Sequence, residues 1–289
     1  MRGLKLGVTA GCIAAILAAA PVSAGEKPQE RKFAYFQATN IFRAGLRGTH
    51  TVSLTFDDGP GVNTPAVLDA LKAYDIRATF FIVGKMARKH TDILAQIAAD
   101  GHLLANHSVS HKRLTRKRYR NNPELLIGQI RQVNDLIAPY MLPGQKLFFR
   151  APYGAWREQH AAVLNADPVL KYYVGPIYWD VGGQTYVDDE GYVITSADWD
   201  CWHRGWSAET CAKGYLREIA RKDGGVVLMH CVNASSADLV HAVLPTLIEE
   251  GYKFVRLDEV KEYDQYQTPA GPKEPVVALH VPTAKRVGK

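Results

Sequence analysis

Short apolar runs alternate along this chain with longer stretches in which apolar positions recur every three or four residues, the mark of strands alternating with amphipathic helices. The first strand-like run is Thr51-Val52-Ser53-Leu54-Thr55-Phe56. Asn63-Thr64-Pro65 then reads as a cap with proline in the first helical turn, which predicts a helix from Ala66 to Tyr74. The same reading predicts strands at Ala78–Val83, His102–Asn106, Lys146–Arg150, Tyr172–Val181, Gly225–His230 and Lys253–Leu257. Between them it predicts helices at Thr91–Asp100, Pro123–Ala138, Trp156–Asn165, Ser207–Lys222 and Ser236–Glu250, with an irregular aromatic-rich insertion over residues 182–206. The alternation argues for parallel strands joined by helical crossovers, in an open sheet or an α/β barrel, and about seven such repeats favour the barrel.

The two ends read differently. Arg2 and Lys5, the apolar stretch Leu6–Ala20 and the small residues Val22-Ser23-Ala24 form a signal-peptide pattern, so residues 1–24 are expected to be removed on export to the periplasm or beyond. The apolar stretch is short for a membrane span, and the mature chain is expected to have none. Residues 25–49 read as a polar arm packing on the barrel, residues 50–262 as the barrel domain and residues 263–289 as a flexible tail.

The formal charge of +6 loses Arg2 and Lys5 with the leader and becomes +4. That mild balance suits an anionic polymer or an envelope surface, and with no recognition motif beside it gives no case for nucleic acid. Of four cysteines, Cys201, Cys211 and Cys231 remain after processing. In an oxidising compartment a Cys201–Cys211 disulfide with Cys231 free is the favoured pairing, against three buried thiols.

Chemistry-bearing residues collect where strands end. Asp57-Asp58-Gly59-Pro60 closes the first run; adjacent strand residues point to opposite faces, so both carboxylates reach one site only if the backbone leaves β geometry, a departure that Gly59 and Pro60 can supply. His107 and His111 are four apart, a spacing that puts both imidazoles on one face of a helical turn and, with one carboxylate, gives a three-ligand metal site. Arg150, ahead of Ala151-Pro152-Tyr153-Gly154, can clamp a carboxylate through a bidentate pair. His230 ends the apolar run Val226–Met229, where a barrel enzyme keeps a general acid. The basic run Lys112-Arg113, Arg116-Lys117-Arg118 and Arg120 reads as a solvated face, with contact to an anionic glycan as the alternative.

This ordered set resembles the polysaccharide deacetylase family, the NodB-homology domain of carbohydrate esterase family 4. Thr55–Pro60 is similar to the family's first motif, His107–His111 to its second, Arg150–Gly154 to its third and Leu228-Met229-His230 to its fifth. The resemblance implies a distorted (β/α)7 barrel, and a metal-dependent hydrolase that removes N-acetyl groups from peptidoglycan, a chitin-like oligomer or an exported polysaccharide. It implies Asp58, His107 and His111 as ligands of a divalent metal, most often zinc, with Asp57 as general base, Arg150 holding it, and His230 as general acid. It further implies the Tyr153 backbone N–H as oxyanion donor, with Leu228 and Trp199 lining an acetyl-methyl pocket. Trp156, Trp179, Trp202 and Trp206 are expected to divide between core and sugar-stacking surface.

The fourth motif departs from the family. Trp179-Asp180-Val181 ends the strand expected at Tyr172–Val181, while the Asp-Trp pair, Asp198-Trp199, arrives only after the insertion, so Asp180 or Asp198 carries that aspartate's role. Cys231 stands after His230 where the family often has Asp. The rival readings are a catalytically silent carbohydrate-binding relative and a two-carboxylate glycosidase, the latter ill served by adjacent carboxylates.

Overall fold

A computed structural model of the protein describes residues 36–37, 44–142 and 144–266. The expected leader at 1–24, most of the arm and nearly all of the tail lie outside the described residues. The strands are β1 (Thr51–Asp57), β2 (Thr79–Ile82), β3 (Leu103–Asn106), β4 (Leu147–Phe148), β5 (Tyr173–Val174), β6 (Tyr186–Val187), β7 (Val193–Thr195), β8 (Gly224–His230) and β9 (Lys253–Phe254). The helices are α1 (Thr64–Ala73), α2 (Gly84–Ala87), α3 (Thr91–Ala99), α4 (Lys117–Arg120), α5 (Pro123–Ile137), α6 (Glu158–Asn165), α7 (Asp198–His203), α8 (Ala208–Lys222) and α9 (Ser236–Glu249).

The order β3-β2-β1-β8 is parallel throughout, and β9 pairs with the first residues of β1. A bridge from Asn106 to Phe149 passes the ring on to β4 and β5, and another from Val181 to Val227 closes it on β8. The result is the distorted (β/α)7 barrel.

Alternation along the strands explains the two sides of the wall. In β1, Val52, Leu54 and Phe56 face outward into the main core with Val67, Leu68 and Leu71 of α1 and Val243 and Leu247 of α9. Ser53, Thr55 and Asp57 take the other face and are buried with it. Inside and below the ring, Phe81, Ala105, Phe148, Ile177 and Val226 pack with Ala44, Leu46, Leu257, Val260, Tyr263 and Tyr266. Segments on both flanks of the barrel therefore plug it. Tyr263 and Tyr266 are buried, so the packed fold runs past the boundary expected at 262, and the first residues of the expected tail belong to the core. Phe36, from the expected arm, stacks between Trp156 and Tyr173 and binds Asn165 through its backbone N–H.

Three expectations are corrected here. The fifth strand, expected to run from Tyr172 to Val181, pairs regularly only at β5. Pro176 has no N–H to give a ladder, and a Cβ on Gly175 would lie 2.6 Å from the Phe149 carbonyl, so the backbone passes its neighbour too closely for a side chain at that point. The segment 182–206 is not irregular: it carries the antiparallel hairpin β6–β7 and the short helix α7. The turns α2 and α4 also form where no helix was expected, both too short for periodicity to reveal.

Candidate active site

Strand register fixes the first pair of the site. Asp57 is opposite His230 in the β1–β8 ladder, so a carboxylate and an imidazole leave adjacent strand ends side by side. Asp58 then turns into the same cleft because its own backbone has φ of 71°. The departure from β geometry is thus at Asp58 itself, a left-handed position that an aspartate tolerates better than most residues. Ser108 (67°), His111 (49°) and Tyr153 (60°) share this backbone region, and all lie in the loops around the cleft.

His107 and His111 converge without a helix, correcting the expected helical turn. Left-handed backbone at Ser108 and His111 bends the loop, and neighbours hold it there. The Ser108 and Val109 carbonyls accept from the N–H groups of Gly84 and Lys85 at 3.1 and 2.9 Å. Gln129 of α5 accepts from Ser110 N–H and Oγ at 3.1 and 2.7 Å, and its carbonyl accepts from Val109 N–H at 2.8 Å. His107 Nδ1 lies 2.8 Å from the Arg150 carbonyl and donates to it, which leaves the Nε2 lone pair for the cleft.

One donor atom from each of Asp58, His107 and His111 falls within 4.8 Å of the other two. The Asp58 Oδ1 atom is buried and accepts no hydrogen bond, while the two imidazole Nε2 atoms stand 3.5 and 3.0 Å from it. Burial shifts His111 towards its neutral form against the pull of Asp58. Two nitrogens and one carboxylate oxygen, with room left in the cleft, fit a divalent metal.

Arg150 is wholly buried below the carboxylates rather than emerging at the barrel rim. Its Nη1 donates to both Asp57 Oδ1 (2.7 Å) and Thr55 Oγ1 (2.8 Å), and its Nε to the Ile177 carbonyl (3.2 Å). The clamp is one nitrogen on one oxygen, not the expected bidentate pair, and the guanidinium lies against the Phe81 face at 4.1 Å. Burial alone would raise the Asp57 carboxyl, but Arg150, His107 and His230 outweigh it and hold the group below its ordinary range.

Asp198, not Asp180, reaches His230. Its Oδ1 is 2.7 Å from His230 Nδ1 and its Oδ2 accepts the His230 backbone N–H at 2.6 Å. Tyr215 of α8 fixes this aspartate: its hydroxyl accepts from Asp198 N–H (3.0 Å) and donates to the Leu228 carbonyl (2.9 Å). Burial works against a charge on His230, yet the Asp198 carboxylate raises its pKa to about 10. Asp180 is spent elsewhere, accepting from Arg47 Nε at 2.6 Å and Val226 N–H at 3.0 Å. A disulfide joins Cys201 of α7 to Cys211 of α8, with Cα atoms 5.8 Å apart, and Cys231 is a free buried thiol beside Asp57.

Asp57, Asp58, His107, His111 and His230 line a cleft of about 460 Å³ with Arg113, Ala151, Tyr153, Trp179, Gly183, Trp199 and Leu228. A Cβ on Gly183 would sit 2.1 Å from Trp179 Nε1, which is why this wall needs glycine. Of the tryptophans only Trp179 and Trp199 line the cleft; Trp156 is core, and Trp202 and Trp206 pack on the main core. Sequence reasoning missed Thr55, Gln129 and Tyr215. The polar alternation Ser53-Thr55-Asp57 could have exposed Thr55, whereas the other two lie on ordinary amphipathic helices with no local signal.

The barrel and its cleft are shared with solved deacetylases and a family 4 carbohydrate esterase, and the sequence comparison narrows this. A family model described as polysaccharide deacetylase matches residues 45–169, and the chain belongs to that family. It is 32% identical over 214 residues to a peptidoglycan-N-acetylglucosamine deacetylase of Bacillus cereus, covering 71% of this chain and 66% of that one. It is 28% identical over 213 residues to the peptidoglycan-N-acetylmuramic acid deacetylase PdaC of Bacillus subtilis, covering 73% of this chain and 38% of PdaC. The solved peptidoglycan N-acetylglucosamine deacetylase Bc1960 superposes with a TM-score of 0.58 at 27% identity, over 80% of this chain and 94% of that one.

Proposed function

We propose that this protein is a metal-dependent hydrolase that removes N-acetyl groups from N-acetylated amino-sugar glycans, releasing acetate and leaving a free amine. The observation that carries the reading is the pair Asp57 and His230. One is held ionised and the other protonated on adjacent strand ends, beside three converging metal donors. A base and an acid with displaced proton affinities at one cleft are what amide hydrolysis requires.

Asp58, His107 and His111 would hold the metal, zinc in this reading. When bound, it supplies Lewis acidity that polarises the acetamide carbonyl and acidifies water. Asp57 accepts the proton of the attacking water, and Arg150 keeps its carboxylate ionised and aimed. The Tyr153 backbone N–H is assigned to the developing oxyanion. His230 delivers its proton to the leaving nitrogen, and Asp198 holds the ring in the tautomer that presents Nε2 to the cleft. Leu228 and Trp199 shape the acetyl-methyl pocket, and Trp179 offers an aromatic face to a pyranose ring.

Among polymers, peptidoglycan is the favoured substrate, supported by what the relatives are named for. Export through the leader at 1–24 belongs to the same reading, and no helix among the described residues is long and apolar enough to cross a membrane. The test is acetate release from a panel of N-acetylated glycans with added zinc, wild type against Asp57→Ala. Acetate release abolished by the substitution supports the reading; a panel with no mutation-sensitive release refutes it.

A further inference from the structure

Beside the cleft lies a second hollow of about 390 Å³, lined by Ser110, His111, Lys112, Arg113, Arg116 and Tyr153. Three of these residues, His111, Arg113 and Tyr153, also line the cleft, so the two are continuous. The lining holds three strong cations and no carboxylate, and among the described residues none of Lys112, Arg113 and Arg116 is paired with an acidic group. Nor is this a loose basic loop. Leu114 and Tyr119 are buried within the run and fix its backbone, which turns Lys112, Arg113 and Arg116 to solvent. The Arg113 guanidinium lies 4.6 Å over the Tyr153 ring, and that ring packs on His111 at 4.7 Å. An arginine, a tyrosine and a metal-site histidine thus form one line of contacts from the hollow to the proposed reaction centre.

We infer that this hollow is a subsite for a carboxylate on the sugar next to the one deacetylated, so that the preferred substrate is an anionic amino-sugar glycan. The inference rests on the proposed deacetylase reading and adds a substrate class to it. Unpaired cations have no ion pair to break before they meet an anion, and an arginine held on an aromatic ring loses less freedom on binding. A neutral chitin-like chain would leave them unused.

The experiment uses an oligomer of alternating N-acetylglucosamine and N-acetylmuramic acid, with its lactyl carboxylates free or converted to methyl esters. The expected wild-type preference in kcat/KM is about fivefold for the free acid, carried by KM, as two partly exposed ion pairs would give. Lys112→Gln with Arg116→Gln brings the ratio near one, Arg116→Lys retains it, and Arg118→Gln with Arg120→Gln, from the same run outside the hollow, leaves it unaltered. A wild-type ratio near one, or a ratio that falls equally in both double variants, overturns the subsite. If neither oligomer releases acetate, the deacetylase reading fails first. Calorimetric binding of acid and ester oligomers to the same variants then decides the hollow by the same ratio.

Discussion

Asp198 grips His230 twice, at the backbone N–H at 2.6 Å and at ring Nδ1 at 2.7 Å. Two bonds from one carboxylate fix both the position of the residue and the rotation of its ring. Asp198→Asn keeps the shape but removes the charge that holds the extra proton. The expected result is a kcat lower by about 10²-fold with little change in KM. The raised pKa of His230 means that the acid form is present at low pH and lost as pH rises through that value. In the variant the alkaline limb of the rate profile therefore moves to lower pH. An unmoved limb would separate Asp198 from the acid.

His107→Ala and His230→Ala divide binding from turnover. The first removes a ligand and is expected to lose both bound metal and activity. The second should retain stoichiometric metal by elemental analysis while kcat falls on the order of 10³-fold. Metal loss in His230→Ala would contradict the assigned roles.

Arg150→Met leaves Asp57 buried with its main counter-charge gone. Breaking one partner of such a pair costs about 3 kcal/mol or more, seen as a lower Tm. Adding Asp57→Asn to the same protein should recover part of that loss, because no uncompensated carboxylate remains. No recovery would place the destabilisation in lost packing against Phe81 rather than in charge.

His102 offers a test of acid stability away from the cleft. It is buried, its Nδ1 accepts the Ala78 backbone N–H at 3.0 Å, and burial lowers its pKa to about 4, with Asp100 opposing and Arg256 and Arg77 assisting. The unfolded chain takes up the proton first, near the ordinary 6.5. Stability is therefore full above pH 6.5 and falls as pH drops towards 4, by up to about 3 kcal/mol. His102→Asn can keep an acceptor there but does not titrate, so its Tm should decline less between those pH values. An identical decline in both proteins would remove His102 from the acid response.

The barrel was legible because its strands are short, apolar and bounded by caps and glycines, and the site because each strand end carries its own chemical residue within a few positions. Register then does what periodicity cannot: it sets Asp57 opposite His230. What stayed hidden depends on long-range packing. The choice between Asp180 and Asp198 turns on Tyr215, seventeen residues beyond Asp198. The convergence of His107 and His111 depends on left-handed backbone and on Gln129, not on the four-residue spacing that suggested a helix. The basic run is exposed, as a solvated face would be, and its sequence does not show that Arg113 borders the cleft.

Asp57 and Asp58 share a single peptide bond, with the bend between them made by one left-handed residue. The proposed base and the proposed first ligand therefore travel as one rigid unit, anchored in the central strand of the barrel. No loop motion can alter the backbone spacing between the proposed base and that carboxylate ligand. Adaptation to different glycans is left to the parts that are separate from that unit: the ring of Tyr153 and the helix that carries Trp199.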